Sequence, residues 1–367
     1  MTCICSNMRQ KILVLLLIFA ASFAVCSFMF GKNSKVPAYY KSQLKEKTWL
    51  IKRDSKTCAS FIYVTDTHVN SNAMHSPLLI EHILENTDVN TVIWGGDAIS
   101  TYGDNIDEQW EKQLQFDSIL NGACNIYKVR GNHDFMTTIR KGQDEGYTYS
   151  NEKTAEILMK GCPANIHRNA TDKGGCYYYF DDEKQRIRFI ILDTNDSVTS
   201  ENIPRGNIVG VHNRQLQWVA DSALSTTPEE YGLIFVSHIP IATDIYPKKY
   251  KFDDVRKLIE GAASRSKGET GGVRYDFSRL KDVKVLMCIA GHLHRDSHIY
   301  INGILYVTIP CDAAIEKVNR KYTAGKSYRK FGTINEQCFD CFCIDREKNE
   351  VNIYRIGFGV DRHFRIQ

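Results

Sequence analysis

A short apolar run leads directly into four polar residues in the stretch Ile126-Tyr127-Lys128-Val129-Arg130-Gly131-Asn132-His133-Asp134. Such a run predicts a buried strand, because β-branched and aromatic residues favour extended backbone. The polar residues would then lie just beyond the carboxyl end of that strand. Ligands of open α/β sheets bind in the crevice outside the carboxyl ends of the strands. The stretch therefore indicates an α/β fold with a polar site at one edge of a sheet.

The same order, an apolar run and then Asp, Asn or His, recurs along the chain. Further examples are Asp66-Thr67-His68, Gly96-Asp97, Ser237-His238 and Gly291-His292-Leu293-His294. Two more runs end in Asp193-Thr194-Asn195-Asp196 and Pro310-Cys311-Asp312. Because these residues would collect at strand ends, the sequence predicts one polar site assembled from many strands.

The residue types at these strand ends favour a pair of metal ions. Carboxylate, amide and imidazole ligands without a thiolate suit a catalytic transition-metal pair better than a structural zinc site. Seven ligands are too many for one catalytic ion, but they suffice for two ions that share a carboxylate. Such a pair can bind both oxygens of a displacement at phosphorus and supply hydroxide at neutral pH. The pattern therefore predicts hydrolysis of phosphate esters.

Taken together, these motifs resemble the signature of the calcineurin-like metallophosphoesterases, from about Ser60 to about His298. The resemblance implies that the first metal ion is bound by Asp66, His68 and His294. It implies that the second is bound by Asn132, His238 and His292, and that Asp97 bridges the two. It also implies catalytic roles for His133, as general acid or hydrogen-bond donor to the phosphoryl group, and for Asp134, which would orient the His133 imidazole.

The expected fold is a four-layer α-β-β-α sandwich of two mixed sheets flanked by helices. Strand-like runs occur both with and without helices between them, which indicates mixed sheets, and the resemblance implies the same architecture. Helical periodicity predicts helices over Leu78–Glu85, Trp110–Leu120, Asn213–Leu224 and Asp253–Ala263. Hairpins are predicted for Cys176–Phe180 with Arg186–Leu192 and for Phe339–Asp345 with Val351–Gly357.

Two functional hypotheses follow from these patterns. The first is a metal-dependent phosphoesterase that cleaves phosphate mono- or diesters with a hydroxide bound by two metal ions. Its cofactors would be two divalent or transition metal ions, Mn, Fe or Zn, and its partner a small phosphoester substrate. The alternative is a non-catalytic binding or scaffold protein that keeps the same fold and metals. No predicted ligand is missing from the motifs, which favours the enzyme.

Composition bounds the number of domains and the kinds of partner. The chain has 367 residues, 43% of them apolar, and a net charge of +4. Residues 58–367 would form one metallophosphoesterase domain, close to the upper size for a single core. Because the net charge is small and the basic residues are spread along the chain, no nucleic-acid partner is indicated.

The first 30 residues are predicted to be a membrane anchor or a signal segment. Residues 12–30 contain no charge, and Arg9 and Lys11 precede them. An apolar run of this length can just span a bilayer, and it also fits a secretory signal. We favour an uncleaved anchor with the catalytic domain outside the cytoplasm, and a cleaved, secreted form is the alternative. Residues 31–57, rich in Lys and with several Ser, are predicted to be a solvated linker.

Cysteines and arginines near the motifs give three smaller expectations. Cys162 and Cys176 flank a loop and are the best candidates for a disulfide. Cys341 and Cys343 alternate as in a strand, which predicts buried core thiols rather than a metal site. Arg130 and Arg295 flank the metal motifs. Either could contact phosphate, but an outward salt bridge is favoured for both.

Overall fold

The computed structural model describes residues 36–69, 74–100, 105–120, 122–135, 149–196, 209–242, 249–313 and 329–366. The predicted anchor or signal segment, residues 1–30, lies outside these ranges. Among the described residues, no helix is both long and apolar enough to span a bilayer.

Two large mixed sheets form the centre of the domain. In the described residues, one sheet has six strands in the order β17-β16-β15-β1-β2-β3, and the other has seven in the order β13-β14-β12-β8-β6-β5-β4. Strands β1, β2 and β3 run parallel, whereas β15 is antiparallel to β1. Strands β6, β8, β12 and β14 are likewise parallel to one another, whereas β5 is antiparallel to β6 and β13 is antiparallel to β14.

The strands of these sheets have the following bounds. They are β1 Ala59–Val64, β2 Thr91–Trp94, β3 Asn125–Lys128, β4 His167–Arg168, β5 Tyr178–Asp182, β6 Ile187–Leu192, β8 Gly232–Ser237, β12 Lys284–Ala290, β13 Ser297–Ile301, β14 Ile304–Thr308, β15 Cys338–Asp345, β16 Glu350–Gly357 and β17 Arg362–Arg365. Two short ribbons pair β7 Val209–Gly210 with β9 Lys249–Tyr250 and β10 Lys267–Thr270 with β11 Val273–Asp276.

Helices cover the outer faces of both sheets. Their bounds are α1 Lys41–Asp54, α2 His75–Asn86, α3 Ile106–Leu120, α4 Asn151–Met159, α5 Asn213–Trp218 and α6 Phe252–Ser264; a 3-10 turn, Ala38–Tyr40, precedes α1 and a π-helical turn, Val219–Leu224, follows α5. All four predicted helices are present, although the predicted helix Asn213–Leu224 changes to π-helical geometry half-way. Both predicted hairpins are confirmed, as β5–β6 and β15–β16.

Aromatic side chains fill the space between the two sheets. Phe61 of β1 stacks on Phe342 of β15, with ring centroids 4.9 Å apart. The same ring meets the edge of Phe189 on β6 of the other sheet at 5.1 Å. A second apolar core, which contains Leu216, Leu258 and Phe235, lies between the seven-stranded sheet and helices α5 and α6. The predicted four-layer sandwich is therefore confirmed.

The predicted linker, residues 31–57, is wrong from Ala38 onward. Tyr40, Leu44 and Ile51 are buried, and the Tyr40 hydroxyl donates to the Gln337 side chain at 2.8 Å. Asp54, at the end of α1, accepts a hydrogen bond from the Asn352 amide on β16. The many exposed lysines of α1 gave the segment its linker-like composition, while a few apolar residues at helical spacing attach it to the domain.

The predicted Cys162–Cys176 disulfide is also wrong, since all nine cysteines in the described ranges are free. Cys176 is buried in an apolar cluster with Trp110 and Leu158, and Cys162 is half-buried, its thiol donating to the carbonyl of Leu158. Cys341 and Cys343 are buried on β15, as the alternation predicted.

Candidate metal centre

The predicted ligands lie just past the carboxyl ends of five parallel strands. Asp66 and His68 follow β1, Asp97 follows β2 and Asn132 follows the end of β3. In the facing sheet, His238 follows β8, and His292 and His294 follow β12. Because these strands run in the same direction in each sheet, their ends bring the side chains together at one edge of the sandwich.

The first cluster consists of Asp66, His68 and His294. One possible ligand atom from each lies within 4.8 Å of the others. His294 Nε2 is 3.0 Å from Asp66 Oδ1 and 3.5 Å from His68 Nε2. The Asp66 side chain is fully buried, and the imidazoles of His68 and His294 are only slightly exposed. This cluster is the set predicted to bind the first metal ion.

The second cluster consists of Asp97, His238 and His292, with ligand atoms that again lie within 4.8 Å of one another. His238 Nε2 is 3.1 Å from Asp97 Oδ2 and 3.3 Å from His292 Nδ1. Asp97 also belongs to a third group, with His68 and His133. Since His68 is part of the first cluster, the Asp97 carboxylate lies between the two clusters, where the predicted bridging ligand should be.

Asn132, the remaining predicted ligand of the second metal ion, carries a buried polar atom that a cation could satisfy. Its side-chain oxygen Oδ1 is buried and has no hydrogen-bond partner among the described residues. A buried amide oxygen without a partner is unfavourable by about 1–3 kcal/mol. The backbone N–H of the next residue, His133, donates to Asp97 Oδ1 at 2.8 Å, so Asn132 is held beside the bridging carboxylate. The oxygen is therefore suited to bind a metal ion.

Hydrogen bonds to backbone carbonyls fix which nitrogen of two imidazoles can bind metal. His238 Nδ1 is 2.8 Å from the carbonyl oxygen of Gly95, and His68 Nδ1 is 3.1 Å from that of Ile99. A carbonyl only accepts, so each Nδ1 carries its proton and each Nε2 presents a lone pair to the cluster. Backbone groups thus orient these imidazoles as ligands.

A sequence model of the calcineurin-like phosphoesterases matches residues 59–296, which is most of the chain. The chain belongs to this family. It is therefore a metal-dependent hydrolase that acts on phosphoester bonds, and its two clusters form a dinuclear metal centre. No curated protein matches its sequence.

One solved structure shows the same fold as this phosphoesterase, and two others are similar to it over much of its length. A dimetal phosphatase from Danio rerio is 14% identical over 85% of this chain and 100% of its own, with a TM-score of 0.58. The anchor in the inner membrane complex of Plasmodium is 14% identical over 84% and 90%, with a TM-score of 0.47. The purple acid phosphatase PPD1 from yellow lupin, Lupinus luteus, is 15% identical over 84% and 54%, with a TM-score of 0.42.

The electrostatics of the phosphoesterase site favour cations. Burial opposes protonation of His238, but Asp97 and Asp66 outweigh it and raise its pKa to about 9. Burial alone dominates at His68 and His292 and lowers their pKa values to about 4 and about 3, which keeps both imidazoles neutral and able to bind metal. The potential that draws a proton onto His238 would equally attract a metal ion.

Strained backbone is concentrated at the ligands. Positive φ angles occur at Asp66 (55°), His68 (47°), Asp97 (53°), His292 (67°) and His294 (52°). Residues with side chains seldom adopt this left-handed region, and such strain collects at functional sites. Gly131 permits a further close approach, since a Cβ there would lie 2.1 Å from Asp97 Oδ1. The loops are thus bent so that the side chains of the predicted ligands point toward one site.

Asp134 has partners that the sequence did not predict. Its Oδ1 accepts from the backbone N–H of Ala98 at 2.8 Å, and its Oδ2 accepts from those of Asp97 and Gly131 at 3.1 and 2.7 Å. These bonds tie the loop of Asp97 to the loop of Asn132. These contacts indicate that Asp134 positions the loop of Asp97, the predicted bridging ligand, and its role in orienting the His133 imidazole stays a prediction.

Arg130 is fully buried, so the outward salt bridge favoured by the sequence is wrong for this residue. Its guanidinium binds the Asp193 carboxylate, with Nε–Oδ1 at 3.0 Å and Nη2–Oδ2 at 2.7 Å. Thr194, next to Asp193, accepts a hydrogen bond from Ile239 N, beside His238. The run 193–196 therefore connects the loop of Asn132 with the loop of His238. Arg295, the other arginine beside the motifs, is exposed.

The run Pro310-Cys311-Asp312 has a corresponding role beside the first cluster. Backbone N–H groups of Asp312 and Ala313 donate to the carbonyls of Thr65 and Asp66 at 2.8 and 3.1 Å. The Cys311 thiol donates to Ala313 O at 3.3 Å and lies in hydrogen-bond contact with the imidazole of His294. The sequence indicated both runs, 193–196 and 310–312, because they follow predicted strands. Their partners could not be predicted, because these depend on tertiary contacts.

Proposed function

We propose that this phosphoesterase hydrolyses phosphate mono- or diesters at the site where Asp97 joins two metal-ligand clusters. The observation that carries the proposal is the position of the Asp97 carboxylate, which belongs both to the group with His68 and His133 and to the group with His238 and His292. A single-metal site would need no such shared carboxylate. Two ions that share it would lie close enough to act on one phosphoryl group.

Each ligand has a role in this proposal. Asp66, His68 and His294 would hold one ion, Asn132, His238 and His292 the other, and Asp97 both. When bound, two such ions lower the pKa of a coordinated water and offset charge on the phosphoryl oxygens. Mn, Fe and Zn all accept this mixture of oxygen and imidazole ligands.

His133 is suited to proton transfer at the open side of the site. Its side chain is 22% exposed, whereas Asp97 beside it is buried, and its Nε2 is 3.7 Å from Asp97 Oδ2. Its ring meets that of His68 edge-on at 5.0 Å, so it contacts the first cluster without belonging to either predicted ligand set. An imidazole there can donate a proton to the departing alkoxide or a hydrogen bond to the phosphoryl group.

We also propose that the catalytic domain works outside the cytoplasm, held at a membrane by its N-terminal segment. The support is the uncharged run of residues 12–30, preceded by Arg9 and Lys11. Protease digestion of intact and permeabilised cells tests this directly. Digestion of the domain in intact cells would place it outside the cell. Digestion only after the plasma membrane is permeabilised would place it in the cytoplasm, and digestion only after internal membranes are also permeabilised would place it in an organelle lumen.

Hydrolysis assays of the full-length protein test the enzymatic proposal. Aryl phosphate monoesters, aryl diesters and nucleotides would each be supplied with Mn, Fe or Zn in turn. We expect metal-dependent turnover that the Asp97→Asn variant loses, while Asp340→Asn, a matched change at a buried aspartate elsewhere, retains it. Folded wild-type protein that hydrolyses none of these esters with any metal would leave the scaffold hypothesis in its place.

A further inference from the structure

Helix α1 carries an exposed face with an unusual composition. Lys41, Lys45, Trp49 and Lys52 are all exposed, and Lys56 is exposed in the turn that follows. With about 100° of rotation per residue, the four helical positions fall within an arc of roughly 80° and extend about 16 Å along the helix. We refer to these five residues as the lysine–tryptophan face.

The tryptophan at the centre of this face is anomalous. Trp49 is 63% exposed, whereas Trp94, Trp110 and Trp218 are 3%, 4% and 8% exposed. Among the described residues, the cation that its ring contacts is the guanidinium of Arg53, 5.6 Å from the ring centroid. A large aromatic ring left in water loses the stabilisation that burial gives. Its exposure therefore points to a partner that covers it.

The lysines of this face form no ion pair with any described residue. Across the described part of the chain, no carboxylate pairs with Lys41, Lys45, Lys52 or Lys56. Lys47, on another side of the helix, is instead tied to Asp361 at 2.8 Å. The opposite side of α1 is fixed to the domain through buried Leu44 and Ile51. The face is thus a rigid, uncompensated cationic surface around one amphipathic ring.

We infer that the lysine–tryptophan face binds an anionic phospholipid surface. Lysines are attracted to anionic headgroups, and tryptophan prefers the boundary between headgroups and acyl chains. A protein partner would have to supply both acidic groups and an apolar contact for one ring, whereas a bilayer surface offers both along its whole extent. The inference does not depend on the proposed hydrolysis.

The place of α1 in the sequence supports this occupant. Residues 31–40 separate the uncharged run 12–30 from the helix and can span at most about 35 Å. If that run enters a bilayer, this short connection keeps α1 close to the membrane surface, on whichever side of the bilayer the folded domain lies. The cationic face would then fix the orientation of the domain relative to the membrane.

Trp49 provides a selective spectroscopic test because the other tryptophans are buried. Full-length protein would be reconstituted into vesicles of brominated phosphatidylcholine, with or without phosphatidylglycerol, and the quenching of tryptophan emission measured. Subtracting the Trp49→Phe variant isolates the Trp49 signal. We expect most of that signal to be quenched in anionic vesicles, much less in neutral ones, and progressively less at high salt.

Charge reversal distinguishes membrane binding through the lysine–tryptophan face from a general effect of the protein's net charge. The triple variant Lys41→Glu, Lys45→Glu, Lys52→Glu should lose the anionic-vesicle quenching. The matched variant Lys112→Glu, Lys153→Glu, Lys257→Glu, which changes exposed lysines on α3, α4 and α6, should keep it. Equal loss in both variants, equal quenching in neutral vesicles, or no quenching of Trp49 in anionic vesicles would each overturn the inference. Hydrolysis assays of the same variants report separately on the catalytic proposal.

Discussion

Two clusters of carboxylates in this chain are neutralised in different ways. In the metal centre, Asp66 and Asp97 face imidazoles and the unpartnered oxygen of Asn132. In a second group, the arginine cluster, Asp340 and Asp296 bind the guanidinium groups of Arg355 and Arg362. Asp296 is only two residues from His294, so the two clusters are close in sequence as well.

The contrast shows which cluster is built to bind a cation. Arg355 Nε and Nη2 reach the two oxygens of Asp340 at 2.6 and 3.0 Å, and Nη1 reaches Asp296 Oδ2 at 3.0 Å. Permanent cations on the chain thus occupy the arginine cluster. In the metal centre, burial keeps the imidazoles of His68 and His292 neutral, and the carboxylates retain negative potential that a metal ion can offset.

The largest expected effect comes from exchanging one aspartate in each cluster. Asp97→Asn should lower kcat by at least about a thousandfold, because the ligand common to both ions is weakened. Asp340→Asn should leave kcat of the folded protein within about twofold, because its partners are arginines on β16 and β17 rather than metal ligands. Steady-state hydrolysis at saturating metal measures both. Equal losses in the two variants would remove the distinction between the clusters.

Removal of one guanidinium from the arginine cluster should lower stability rather than activity. Arg355→Met leaves the carboxylate of Asp340 buried with one cation fewer, which should lower the free energy of unfolding by about 3–5 kcal/mol. Urea denaturation at fixed metal concentration measures this loss. A change below about 1 kcal/mol would show that the arginine cluster contributes little to stability.

Chelation of metal should destabilise the protein through the metal centre and not through the arginine cluster. If metal is present at about a hundred times its Kd, its removal lowers the free energy of unfolding by about 2.7 kcal/mol. Thermal unfolding with and without a chelator should therefore shift the Tm of the wild type and of Arg355→Met alike. The Tm of Asp97→Asn should shift clearly less. A wild type that is insensitive to chelation would contradict the comparison.

A smaller effect is expected from the thiol beside His294. Cys311→Ala should weaken metal binding about tenfold, because groups that orient a ligating imidazole typically contribute that much. Cys288→Ala is the matched control, since Cys288 is a buried core thiol on β12 outside the metal clusters. Competition with a chromogenic chelator measures the affinity. Identical values for the two variants would show that Cys311 only fills space.

The smallest effect concerns acid stability. Burial alone would raise the pKa of Asp340, but Arg355 and Arg362 outweigh it and hold the pKa below its ordinary value. A lowered folded-state pKa stabilises the protein above the ordinary aspartate pKa, and this contribution disappears as pH falls through the folded value. Asp340→Asn should therefore flatten the acid limb of stability against pH, as followed by urea denaturation. An unchanged acid limb would contradict this assignment.

Local patterns predicted most of the fold and the metal centre. The strands before Asp66, Asp97 and His238 were recognisable because buried apolar runs end abruptly at polar residues, and the helices by their periodicity. The motif glycines marked loops that approach one another closely, as Gly131 does with Asp97.

What the sequence did not predict depends on contacts between distant segments. The partners of Asp134 are backbone amides of another loop, and the inward turn of Arg130 depends on Asp193, far along the chain. Helix α1 was misinterpreted because its exposed lysines outnumber the few buried residues that attach it. The same exposed residues are the basis for the proposed membrane contact.

Metal content tests the central claim most directly. Full-length wild-type protein, Asp97→Asn and Asp340→Asn would be saturated with Mn, freed of excess metal by gel filtration and analysed by elemental mass spectrometry. The account predicts two ions per chain for the wild type and Asp340→Asn, and at most one for Asp97→Asn. One ion or none in the folded wild type, or two in Asp97→Asn, would contradict it.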